Sequence, residues 1–111
     1  KQMSETMSQE QLEAVMGLII NAGNAKSDAM EAIQAAKDGN FTLAQEKLEA
    51  ADQALVEAHH SQTGLLTEEA SGNPMTVTLL AVHSQDHLMT SITFNDMAKE
   101  VVDLYKRLGN E

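Results

Sequence analysis

Cysteine is absent from the 111 residues, which excludes a disulfide framework, a thiolate metal site and a cysteine nucleophile within the chain and suits the cytoplasm. Aromatic residues make up 3 % and tryptophan is absent. With β-branched runs also missing, little here would build strands. Basic residues are scarce as well: 7 Lys+Arg against 17 Asp+Glu give a formal charge of −10. Such a surface repels polyphosphate and anionic lipid, which argues against nucleic acid as a partner. No apolar run has the length of a membrane span, and the polar opening stretch 1–11 lacks the basic-then-apolar plan of a signal peptide. The reading is a cytoplasmic protein with no direct membrane insertion.

What remains is rich in Ala, Leu, Met, Glu, Gln and Lys, the good helix formers, in a chain long enough for one domain. The chain opens on Lys1, so residues 1–7 are read as a flexible N-terminal segment or cloning remnant, and 8–109 as a single all-α domain. Two glycine-containing breaks, Asp38-Gly39-Asn40 and Ser71-Gly72-Asn73-Pro74, divide it into three helices of an antiparallel bundle. The first begins after Ser8, with Gln11 completing a capping box, and ends at Gly39. Its apolar face carries Leu12, Val15/Met16, Ile19, Ala22, Ala29, Ile33 and Ala36. The second, capped by Asn40, places Phe41, Ala44, Leu48, Ala51, Leu55, Ala58, Gln62 and Leu65 on one seam. The third spans about Met75 to Leu108, with Pro74 at its entrance.

That third helix is apolar on more than one side. Leu79, Val82, Met89, Met97 and Leu104 share a stripe with Asp86, and Val77, Leu80, Ala98 and Val102 form another on the opposite side. Two slim neighbours from one chain cannot cover both, so a homo-oligomer built along this helix is expected.

Polar groups set into apolar seams carry the chemical information, because an unpaired buried carboxylate costs several kcal/mol. Gln62, His83 and Asp86 are the candidates, with His87 one turn beyond His83. His59 and His60 lie one turn before Gln62, and for these two an ordinary surface role is equally open. A catalytic zinc fits poorly, because the His83/His87 pair lacks the glutamate of H-E-x-x-H. A neutral imidazole is a good nucleophile near neutral pH, and its phosphoramidate is labile enough to pass the phosphoryl group on. Side-chain donors such as the Gln62 amide would help to position that group.

The segments G-L-I-I-N-A-G-N-A-K-S-D-A-M-E-A (17–32), A-K-D-G-N-F (36–41), A-H-H-S-Q-T (58–63), V-H-S-Q-D-H-L-M-T (82–90) and D-L-Y-K-R-L (103–108) resemble the enzyme IIA component of the lactose/cellobiose (N,N′-diacetylchitobiose) branch of the bacterial sugar phosphotransferase system. The resemblance covers about Glu13 to Leu108. It implies a three-helix subunit that assembles as a nine-helix homotrimer. His83 then corresponds to the phosphorylated nucleophile, loaded by the histidine phosphocarrier protein and unloaded onto a cysteine of the cognate enzyme IIB during uptake of a β-linked disaccharide such as cellobiose/chitobiose or lactose. Gln62 would position the phosphoryl group and His87 would assist. The resemblance also implies that Asp86 lies on the threefold axis, where a hard cation, Mg2+ first, would bridge three carboxylates as a structural metal. Ser84, Gly64 and Phe94-Asn95 depart from the family pattern without touching His83 or Asp86.

Two other readings stand beside this one. A histidine phosphotransfer module of two-component signalling is also a helical bundle with one reactive histidine, but it prefers lysine then glycine from the third position on, where this chain has Asp86. The other is a noncatalytic, metal-stabilised helical trimer.

Overall fold

The computed structural model describes residues 7–109; the expectation for the N-terminal segment falls almost wholly on 1–6, outside the described residues. Three helices follow in order, α1 (Gln9–Lys37), α2 (Phe41–Ala70) and α3 (Leu79–Gly109), with no strand among the described residues. The bundle is a rod of 63 × 24 × 16 Å with a radius of gyration of 17.2 Å, well above the roughly 13 Å of a compact chain of this length.

The helix ends follow local chemistry. Ser8 accepts from the Gln11 N–H at 3.1 Å, while the Ser8 N–H donates to the Gln11 side chain at 3.3 Å, closing the expected capping box. Gly39 takes φ +80°, a left-handed conformation that suits a residue without Cβ, and the Asn40 side chain then caps α2 through the Leu43 N–H at 3.1 Å. The start of α3 differs from the expectation: it begins at Leu79, not near Met75, and Pro74 lies in the connection. Thr76, Val77 and Thr78 are three consecutive β-branched residues, poor at helix propagation. Thr78 provides the cap, its hydroxyl accepting from the Ala81 N–H at 3.1 Å.

α1 packs along both other helices, whereas α2 and α3 meet over a much slimmer seam. The face α1 presents is wide and made largely of alanine: Ala22, Ala25, Ala29, Ala32, Ala35 and Ala36 are all buried. Small side chains let the helix axes approach closely. One core cluster gathers Ala25, Ala29, Ala32, Ala35 and Ala36 with Ala44, Leu48, Ala51, Ala98 and Val102 toward the Gly39 end; a smaller one, Leu18, Ala58 and Leu88, holds the other half. On α2 the predicted seam is the buried one. Leu12 and Met16, assigned to the inner face of α1, are exposed instead, and Leu18 takes the inner position beside Val15.

α3 shows the largest departure. Its inner face is Ala81, Ser84, Leu88, Ser91, Asn95, Ala98 and Val102, and three of these are polar. Their donors are met inside the bundle: Ser84 Oγ donates to the Ala81 carbonyl and Ser91 Oγ to the Ala22 carbonyl at 3.0 Å, while Asn95 Nδ2 donates to Asp52 at 2.8 Å. The apolar stripe Leu79, Val82, Met89, Met97 and Leu104 faces outward, 45 to 85 % exposed.

Candidate functional site

The inward seam of α3 leaves His83, Asp86 and His87 on its outer surface. Buried Ser84 and Leu88 pin the turn, so His83 stands exposed on a rigid helix and not on a loop. His87, half-buried, lies one turn on. The two imidazoles stack, with centroids 5.6 Å apart and an interplanar angle of 18°. His87 is held below the ordinary histidine range, first because burial removes water from the charged ring and then by the positive charge of Lys26 and by His83. It is therefore neutral at pH 7, and the ring stacked on His83 is not a competing cation.

α1 supplies the neighbouring wall. Gly23 lies against His87 so closely that a Cβ there would sit 3.4 Å from Nε2. One turn later, Lys26 Nζ donates to Thr90 Oγ1 at 3.4 Å, and the Thr90 hydroxyl donates to the Asp86 carbonyl at 2.9 Å. On the other flank, the half-buried Gln62 of α2 donates through Nε2 to Gln85 Oε1 at 2.7 Å. Gln62 thus meets the His83 turn through Gln85, two residues beyond His83. The two glutamines also border an apolar cleft of 220 Å³ with Leu65, Met75, Val77 and Val82.

Asp86 is exposed on the apolar stripe, with no ion pair among the described residues. A single chain offers no group of three His, Cys, Asp or Glu side chains able to hold a metal among the described residues. A cation at Asp86 therefore needs carboxylates from other copies. His59 and His60 are exposed and line an open groove with Val56, Glu57 and Thr63, apart from the stacked pair. Gln85, Gly23, Lys26 and Thr90 were not picked out by sequence reasoning. All four fall within the segments 17–32 and 82–90, but only the packing of α1 against α3 and of α2 against α3 shows what each touches.

The geometry therefore sets an exposed imidazole, stacked on a second one, on the outer face of a helical rod. The family model "PTS system, Lactose/Cellobiose specific IIA subunit" matches residues 13–106, and the chain belongs to that family, whose members are phosphotransferases of a phosphoryl relay. It is 45 % identical over 105 residues to the lichenan-specific phosphotransferase enzyme IIA component of Bacillus subtilis, covering 95 % of this chain and 96 % of that one. The crystal structure of the cellobiose-specific enzyme IIA from Bacillus anthracis superposes with a TM-score of 0.91 at 43 % identity over 96 % of both chains. A solution structure of the IIA(Chitobiose)–HPr complex of Escherichia coli matches with a TM-score of 0.79 at 41 % identity, covering 92 % of this chain and 99 % of that one.

Proposed function

We propose that this chain is the IIA phosphoryl carrier of a β-linked disaccharide transporter: His83 accepts the phosphoryl group from the histidine phosphocarrier protein and passes it to a cysteine of the cognate enzyme IIB in the cytoplasm. The observation that carries this reading is the exposed His83 ring, held by a buried seam and stacked on a neutral His87, where two successive partner proteins can reach it. Support for the donor comes from the relative solved in complex with HPr. The missing cysteine agrees with it, because the next thiol then belongs to another protein. Relatives named for lichenan, cellobiose, chitobiose, lactose and galactose match at 41–50 % identity; the β-linked disaccharide is the reading that most of these names support.

In this account the His83 nitrogen attacks phosphorus as the donor's P–N bond breaks. His87 fixes the plane of the His83 ring, and Gln62 sets the turn through Gln85. The assembly is a homotrimer joined along the exposed stripe of α3, which otherwise leaves five large apolar side chains in water. There Asp86, one per subunit, would hold a structural Mg2+ with oxygen donors that suit a hard cation; the metal would relieve the repulsion of three carboxylates and take no part in transfer. The test is a chase: protein labelled from phosphoenolpyruvate through enzyme I and the phosphocarrier loses its label to added IIB with a free cysteine and keeps it when that cysteine is serine. Label retained against intact IIB contradicts the relay.

A further inference from the structure

A phosphoryl group in transfer carries negative charge on three oxygens, and proteins that move one set a cation against it. Cations are nearly absent from the half of the rod that bears His83: across residues 2–36 and 48–98, Lys26 is the only Lys or Arg. Lys47, Lys99 and Arg107 are committed to Glu31, Asp52 and Asp103. Lys26 has no carboxylate partner among the described residues. Its one hydrogen bond, to Thr90 Oγ1, is long at 3.4 Å and goes to a neutral hydroxyl.

Position adds to charge. Side chains on a helix tend to lean toward its N-terminus, and Gly23 lies one turn back from Lys26 on the same face. Gly23 has no side chain to block the way, and the ring against it is that of His87, stacked on His83. The ammonium already acts on His87, whose charged form it disfavours. Taking His83 as a phosphoryl carrier, we infer that Lys26 is the cation of the site, leaving Thr90 and swinging over Gly23 to meet the phosphoryl oxygens on His83. It exchanges no proton. The His83 nitrogen forms its bond to phosphorus, the donor imidazole departs with the electron pair of the broken P–N bond, each ring keeps the proton on its other nitrogen, and Lys26 contributes charge alone.

The experiment is single-turnover phosphorylation of the full chain by phosphoenolpyruvate, enzyme I and the histidine phosphocarrier across a range of phosphocarrier concentrations. Lys26→Met is expected to lower the rate at saturation about tenfold or more, with the half-saturating concentration and melting temperature unchanged, and Lys26→Arg is expected to restore most of it; Lys26→Gln replaces the Met variant if that one melts early. A wild-type saturating rate in Lys26→Met or Lys26→Gln overturns the assignment. So does a loss confined to half-saturation, which makes Lys26 a docking contact, or a loss that arginine does not restore. Wild-type protein that takes no label on His83 fails the carrier reading itself, an outcome distinct from a labelled chain indifferent to Lys26.

Discussion

Burial of the His87 imidazole makes the stability of the fold depend on pH. Unfolded His87 takes up a proton near the ordinary histidine value, about 6.5, while the folded ring resists it. In the window just below that value the unfolded state holds more protons, so stability rises with pH. This contribution is fully present above about 6.5 and is lost as pH falls through the window toward the lowered folded value. The urea midpoint should drop between pH 7.5 and pH 5.5, and drop less in His87→Asn; equal drops would remove His87 as the cause. Gln62→Ala, losing its bond to Gln85, should slow phosphoryl transfer without changing assembly, and a wild-type transfer rate would take Gln62 out of the site. His83, Asp86, His87 and Gln62 were legible as polar groups on apolar seams. Lys26 and Gly23 were not, because their partners lie 64 residues away and a glycine or lysine in a helix announces no contact.

The elements show a similar division. Capping at Ser8 and Asn40 was readable because each cap bonds a backbone N–H three residues on. On α3 the uncovered stripe and the opposite one through Ala98 and Val102 were readable, but the polar part of the inner face was not. That face holds Ser84, Ser91 and Asn95, and the partners of the last two, the Ala22 carbonyl of α1 and Asp52 of α2, are brought to them only by the assembled bundle. Leu88 is fully buried in the small cluster with Leu18 and Ala58, so Leu88→Ala should cost about 2–4 kcal/mol in urea unfolding. A cost under about 1 kcal/mol would mean that this half of the rod is not packed as described. Asn95 has a buried Oδ1 with no hydrogen-bond partner, and removing it as Asn95→Leu should leave stability equal or raise it by about 1 kcal/mol. A lower melting temperature would show that the bond to Asp52 outweighs the orphaned oxygen.

At the scale of the whole molecule, a rod 63 Å long and 16 Å thick has too much surface for its apolar residues, and it was the third helix, apolar on two sides, that made this visible in the sequence. The seam between α2 and α3 is slim, and the proposed trimer would cover the exposed stripe of α3. Sedimentation should give a mass near three times 12.0 kDa, that is 36 kDa, and Asp86→Leu should keep or strengthen the trimer by removing clustered charge from an apolar axis. A monomer at micromolar concentration with Mg2+ present would contradict the assembly. Everything else depends on where the phosphoryl group resides. The direct measurement is mass-spectrometric site mapping, at alkaline pH, of protein labelled through enzyme I and the histidine phosphocarrier: the account predicts one acid-labile, base-stable phosphoryl group on His83 and none in His83→Ala, and undiminished labelling of His83→Ala would contradict it.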